Sequence, residues 1–204
     1  MIQLNQWTRI PYAEREPGFA TELLKLHQNL LKDRWINLRS DHCVTPAGTE
    51  IGPYYVLTYP DWVHVVAVTP AGGLVLVRQY RHAIGESVLE LPAGAVDPSD
   101  ANTEQAARRE LEEETGFTAQ HWRLVSSLYP NPATQTNRVH VYLALDAVRD
   151  GTQHLDKGEE GLQVSVAPIK EIMDGLRTGI LGQSMHVSAV LLGLAVADQL
   201  KLGN

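Results

Sequence analysis

The chain holds a single cysteine, Cys43, in 204 residues. One thiol cannot close an internal disulfide, which fits a reducing compartment and a cytoplasmic location. Nothing around Cys43 signals an activated nucleophile. Positive charge is also in short supply: 17 lysines and arginines face 24 acidic residues, for a net charge of -7. That balance argues against a general nucleic-acid binder or a membrane-surface binder, which would carry a basic patch. Long apolar runs are missing. The best candidate, Val187 to Val196, is too short to span a bilayer and contains Ser188 and Gly193. The opening M-I-Q-L-N-Q-W-T-R-I has neither a signal-peptide apolar core nor a transit-peptide character, so no targeting segment is expected. The eight histidines show no i,i+4 pair and no zinc spacing; His82 and His140 read as structural or exposed. There is no phosphate-cradling glycine loop of the Walker type and no G-x-S-x-G elbow.

What is present is an ordinary globular composition, 44% hydrophobic and 20% charged. The length suits one domain with an N-terminal appendage. Leucines at helical spacings over Phe19 to Trp35, introduced by Pro17-Gly18, predict a helix in an arm spanning residues 1–36, a candidate surface for a second subunit. Strands are expected at Ile36–Val44 and Tyr54–Tyr59, then at Trp62–Thr69 and Leu74–Arg81, a hairpin turned by Pro70-Ala71-Gly72-Gly73. Further strands are expected at Ser87–Leu91, His121–Tyr129, Arg138–Asp146 and Leu162–Ala167. Pro168 opens a helix to about Arg177, and Ser184 is read as the cap of a last helix to about Leu200. Clustered strands with one central and two late helices predict an α/β fold, a mixed sheet between helical layers.

The chemistry concentrates in Ala106 to Phe117, A-A-R-R-E-L-E-E-E-T-G-F. Asn102 is a natural N-cap with Gln105 as its capping-box partner, and Gly116 is a natural stop. At about 100° per residue, Glu110, Glu113 and Glu114 share one arc beside the apolar stripe of Ala107 and Leu111. Like charges so arranged repel. Arg109 can pair with Glu113, but one arginine cannot neutralise three acids. A hard divalent cation, which takes carboxylate oxygens and leaves positions for water and phosphate, is the natural remedy.

From Gly94 onward the stretch G-A-V-D-P-S-D-A-N-T-E-Q-A-A-R-R-E-L-E-E-E-T-G-F resembles the Nudix box, G-x5-E-x7-R-E-U-x-E-E-x-G-U. Its second half matches at Arg109, Glu110, Leu111, Glu113, Glu114, Gly116 and Phe117. The first half departs: Gly94 lies one residue too far from Arg109, and no glutamate fills the seventh position. Asp100 is the substitute, in a lengthened loop. Upstream, V-L-V-R-Q-Y-R-H-A-I-G-E-S-V-L-E-L-P-A-G resembles the ADP-ribose pyrophosphatase branch of that family, as does Y-P-N-P at Tyr129 to Pro132.

This resemblance implies a Nudix-type α/β/α sandwich over residues 37–204 and hydrolysis of the diphosphate linkage of ADP-ribose or a related nucleoside diphosphate sugar. Glu110 and Glu114 would hold Mg2+ or Mn2+, with Glu113 sharing an ion and the Ala93 carbonyl completing a site. Arg109 and Glu113 would stand among the catalytic residues. The general base would come from the loop Gly158 to Gly161, with Glu160 favoured over Glu159. Arg81 would grip the substrate diphosphate. Glu90, an acid inside an apolar strand, is either a substrate contact or half of a structural salt bridge. A homodimer is also implied. GDP-mannose or another nucleotide sugar is the alternative substrate, with the loop P-N-P-A-T-Q-T-N as the deciding element. A catalytically silent, nucleotide-sensing domain is the alternative of another class; such domains lose box glutamates, and this chain keeps the second-half set.

Overall fold

The computed structural model describes residues 8–9, 32–33 and 36–197. Two compact units are distinguished, one comprising Met1–Pro60 with Tyr129–Asn137, the other Asp61–Leu128 with Arg138–Asn204. The helix expected over Phe19–Trp35 lies outside the described residues except at Lys32 and Asp33. There the chain is not helical. Lys32 bridges Asn37 and the Asp33 carboxylate accepts the Ile36 N–H at 2.9 Å.

In the first unit, β1 (Thr8–Arg9), β2 (Asn37–Val44) and β3 (Glu50–Thr58) form an antiparallel sheet in the order β1-β2-β3. The strand expected from Tyr54 begins earlier, at Glu50, because the tight turn at Thr45–Thr49 returns the chain directly into pairing. The segment Tyr129–Asn137 is stitched to β3 of the same unit. Leu57 donates to the Thr134 carbonyl at 2.7 Å and accepts from the Thr136 N–H at 3.1 Å.

The second unit is built on β4 (Trp62–Val68), β5 (Gly73–Arg81), β6 (Glu86–Glu90), β7 (Ala93–Ala95), α1 (Thr103–Thr115), β8 (Phe117–Thr118), β9 (His121–Leu128), β10 (Val139–Leu145), β11 (Val148–Arg149), β12 (Gln163–Pro168), α2 (Ile169–Gly175) and α3 (Ser184–Val196). The main sheet runs β12-β5-β4-β10-β9, with β6 paired to β5 and β7 to β4. It is mixed, because β4 and β10 are parallel while the other pairs are antiparallel.

The apolar run of β4 is continuous because both of its faces are covered. Val63, Val65 and Ala67 pack with Ala106, Ala107 and Leu111 of α1. Val66 and Val68 pack with Ile172 of α2 and with Ala189, Val190 and Leu194 of α3. This is the expected α/β/α sandwich. Among the described residues no helix is long and apolar enough to cross a membrane.

Two local expectations are corrected, and three short strands went unforeseen. Ser184 is the first residue of α3 rather than its cap; Gln183 precedes the helix and makes no side-chain capping bond. The Gln105 side chain does not close a box on Asn102 but reaches one residue further back, accepting the Ala101 N–H at 2.6 Å. The short strands β7, β8 and β11 carry too few residues to show a period.

Candidate active site

Helix α1 positions the acidic residues because both of its ends are fixed. The Asn102 side chain accepts the Gln105 N–H at 2.9 Å, and Gly116 stops the helix in the left-handed region at φ 70°, where a side chain would be strained. Between these caps the three expected carboxylates separate. Glu110 and Glu114 are 7% and 2% exposed, while the Glu113 side chain keeps 42% of its surface. Measured around the helix from Glu110, Glu114 lies about 40° toward the buried stripe and Glu113 about 60° away from it.

A third carboxylate joins the buried pair from another part of the chain. Oxygens of Glu110, Glu114 and Glu159 lie within 4.8 Å of one another. Glu159 ends a 3-10 turn, Lys157–Glu159, and its Oε2 accepts the Asp156 N–H at 3.0 Å. Glu160, the favoured residue of the loop, is exposed and outside this cluster. In a turn with about three residues per revolution, the next side chain points about 120° away. Of the two loop glutamates, the structure brings Glu159 to Glu110 and Glu114 and leaves Glu160 apart from them.

Strand β7 supplies the backbone wall. The Ala93 N–H donates to Glu114 Oε2 at 2.9 Å, so Ala93 sits directly against the cluster. Gly94 permits a close approach: a Cβ there would meet the Glu110 carboxylate. Arg109 is the hub of the surrounding charge. Its Nη1 donates to Glu110 Oε1 and Glu113 Oε2, each at 2.9 Å, and its Nη2 to the Ala95 carbonyl at 3.0 Å. Nε and Nη2 also grip both oxygens of Asp100, at 3.2 and 3.1 Å. Asp100 thus fastens the lengthened loop to the helix through a bidentate pair.

The electrostatics follow from burial. Desolvation pushes Glu110 up to about 7, with Arg109 opposing and Glu159 and Glu113 adding to the rise. Desolvation also raises Glu114 well above the usual carboxylate range, against the Ala93 N–H and the charge of Arg81. Arg109 loses hydration, yet its bonds to Asp100, Glu113 and Glu110 hold the guanidinium firmly charged. Asp100 is held below its usual range chiefly by Arg109. Two buried carboxylates at one point, short of positive charge, fit a hard divalent cation, which would allow both to ionise.

Arg81, at the end of β5, faces Glu90 on β6. Its Nε lies 3.2 and 3.0 Å from the two Glu90 oxygens, and Nη2 completes a bidentate pair. Glu90 is 1% exposed while the Arg81 side chain keeps 41% of its surface, so the bridge is buried at one end only, and the charge of Arg81 is felt at Glu114. Behind the strand lies a pair no sequence pattern marks. The rings of His64 and His186 approach to 4.2 Å, and His186 Nδ1 accepts the Leu91 N–H at 2.7 Å. This bond secures Glu90-Leu91-Pro92-Ala93. Burial keeps both rings neutral, with His64 lowered to about 4.

Residues 58–183 match the model of the NUDIX domain. The chain belongs to the Nudix family. Ahead of this Nudix segment, residues 28–57 match the nucleoside diphosphate sugar hydrolase N-terminal domain. An ADP-ribose pyrophosphatase of Mycobacterium tuberculosis is 31% identical over 159 residues, covering 78% of this chain and 76% of that protein. An ADP-ribose pyrophosphatase of Bacillus subtilis is 35% identical over 105 residues, covering 51% of this chain and 56% of that protein. The matched segment thus spans little more than half of the Bacillus relative. The crystal structure of an ADP compounds hydrolase superposes with a TM-score of 0.70 at 22% identity, covering 84% of this chain and 92% of that one; it shares the Nudix fold. Nudix hydrolases use divalent metal ions, in keeping with the carboxylate cluster.

Proposed function

We propose that this chain hydrolyses the diphosphate linkage of ADP-ribose or a closely related nucleoside diphosphate sugar, releasing a nucleoside monophosphate and a sugar phosphate. The observation that carries the reading is the convergence of Glu110, Glu114 and Glu159 on one point beside Ala93, in a chain whose relatives include ADP-ribose pyrophosphatases. Glu110, Glu114 and the Ala93 carbonyl would hold Mg2+ or Mn2+, with the Glu159 carboxylate close enough to strengthen the ion's binding and Glu113 at the exposed edge available to a second ion. Such an ion neutralises the diphosphate and makes water a better nucleophile at neutral pH.

The chain's own groups then have distinct tasks. Glu159 Oε2 is held by the Asp156 N–H, which leaves Oε1 to accept the proton of the attacking water. Arg81, steadied by Glu90 through Nε and Nη2, offers Nη1 to a phosphate oxygen. Arg109 touches no substrate in this scheme; it holds the helix carboxylates in place. Substitution at phosphorus needs chiefly this positioning and charge stabilisation. The N-terminal portion is assigned to contact with a second copy, the enzyme to the cytoplasm, and neither nucleic acid nor membrane is a partner.

The assignment of the base predicts a contrast between neighbours. Glu159→Gln is expected to lower kcat by roughly 10²–10⁴-fold, the span of general-base contributions. Glu160→Gln should stay within about twofold of the wild type, as exposed side chains away from the chemistry do. Steady-state kinetics on the two variants check this, and equal losses would refute the choice of Glu159.

Substrate class is tested by hydrolysis of ADP-ribose, GDP-mannose, UDP-glucose, NADH and dATP with Mg2+ and with Mn2+. A phosphatase in the assay releases phosphate from the monophosphate products but not from intact nucleotide sugars; dATP, which a phosphatase would itself attack, is followed by pyrophosphate release with an inorganic pyrophosphatase instead. Turnover of ADP-ribose ahead of the others is the expected result. Preference for GDP-mannose would move the substrate within the class. Turnover of dATP alone, or of nothing, would remove it.

A further inference from the structure

The carboxyl end of α1 is tied off by a segment far along the chain, and the same segment leads into the turn that carries Glu159. The last carbonyls of a helix have no donors within it, and here those of Glu112, Glu113 and Glu114 find one, as does that of the following Gly116. The Glu112 carbonyl takes the Gly116 N–H at 2.7 Å. The Glu113 carbonyl takes the His154 N–H at 2.8 Å, and the Gly116 carbonyl takes the Gly151 N–H at 3.0 Å. The Glu114 carbonyl takes a side chain: Gln153 Nε2 donates to it at 2.7 Å. Beyond Gln153 the chain tightens at once, with the Glu159 N–H bonded to the Asp156 carbonyl at 2.9 Å and the Asp156 N–H returning to Glu159 Oε2 at 3.0 Å.

A short path therefore joins Glu114 to Glu159: the Gln153 amide on the Glu114 main-chain carbonyl, the chain from Gln153 to Asp156, and the hydrogen bonds between Asp156 and Glu159. Of its links, the Gln153 amide is the one made by a replaceable side chain. We propose that Gln153 is a positioning residue: its amide sets the spacing between Glu114 and Glu159, and so tunes cation affinity and turnover without touching substrate. The inference rests on the metal-site reading above.

The test uses the full chain and Mn2+ as the probe, with binding followed by the loss of free-ion paramagnetic resonance signal well below the melting temperature. Gln153→Met keeps the volume and removes the donor; Gln153→Glu keeps the shape and presents an acceptor instead. Both are expected to weaken Mn2+ binding by about 10-fold or more, the range seen when groups that orient metal ligands are lost. Turnover number should fall by a similar factor while KM for the nucleotide sugar stays within about twofold, since uniform substrate binding is untouched. In a Glu159→Gln background the effect of Gln153→Met on Mn2+ affinity should largely disappear, because residues acting through one another are not additive. A purely structural role would lower the melting temperature and leave affinity at the lower temperature alone. Wild-type Mn2+ affinity in both variants would overturn the proposal, as would an undiminished effect in the Glu159→Gln background. If the wild-type protein binds no Mn2+, the metal-site reading and this inference fall together. If the wild type binds and turns over substrate while the variants match it, the inference falls alone.

Discussion

Glu114→Gln is expected to abolish most of the activity while leaving the fold intact and, without metal, more stable. The glutamine oxygen can still accept the Ala93 N–H that now bonds Oε2 at 2.9 Å, and the two side chains have nearly the same volume. What is lost is one negative charge at a point where Glu110 and Glu159 also converge. In the metal-free protein that charge is a burden, since desolvation drives the Glu114 carboxyl toward its neutral form. Removing it should raise the metal-free melting temperature or leave it level. In the metal-loaded protein the same charge is a ligand, and its absence should cost roughly 10²–10³-fold in kcat/KM, as for other preorganised charge-stabilising groups. The exposed Glu112 on the same helix is the control, and Glu112→Gln should leave both quantities unchanged. Thermal melts with and without Mg2+, together with kinetics, separate the two effects. A Glu114→Gln protein that keeps wild-type turnover would remove Glu114 from the site.

The helix was legible because several independent signals fall on the same dozen residues. Asn102 and Gly116 fix its ends, the Ala107–Leu111 stripe fixes its buried face, and the period then places Glu110 and Glu114 at the edge of that face. Asp100 could be read as the substitute in the box because it is the one acid at the right distance from Gly94, and the bidentate pair with Arg109 shows how a longer loop accommodates it. The β4–β5 hairpin and the sandwich follow from apolar runs long enough to be covered on both sides.

Other features left no trace because they depend on distance through space. Glu159 and Glu160 are adjacent, both acidic and both in a polar loop; only the place where a single 3-10 turn ends, at Glu159, decides which joins the helix carboxylates. The contact of His64 with His186 joins β4 to α3, which no local period could reveal. Gln153 looks like any polar loop residue until the helix end it caps is in view. Glu90 is intermediate: an acid inside an apolar strand announces a partner, but its identity as Arg81 emerges only when β5 and β6 pair.

Acidity should couple metal binding to stability in a direction that the buried groups dictate. Glu110 is raised from 4.5 to about 7. A carboxyl shifted upward favours the folded state fully below its unfolded value, and that contribution is lost as pH rises through the folded value. Stability of the metal-free protein should therefore decline from this source between about pH 4.5 and 7, by on the order of 3 kcal/mol. Glu114 acts in the same sense. His64, lowered from 6.5 to about 4, acts oppositely: its contribution is present above pH 6.5 and is lost as pH falls through 4. Between these limits the two influences partly cancel, so the metal-free melting temperature alone is a blunt readout. The increment produced by metal is sharper, because the histidines contribute equally with and without it. A divalent ion must displace the Glu110 proton, so at pH 5, two units below the folded value of about 7, affinity should be at least about 100-fold weaker than at pH 8, and the Glu114 proton adds to the loss. An ion held at 100 times its dissociation constant at pH 8 stabilises by about 2.7 kcal/mol, and most of that increment should vanish at pH 5. Melting temperatures at both pH values, with and without a fixed Mg2+ concentration, measure it. An equal increment at pH 5 and pH 8 would mean that the ion does not bind through Glu110.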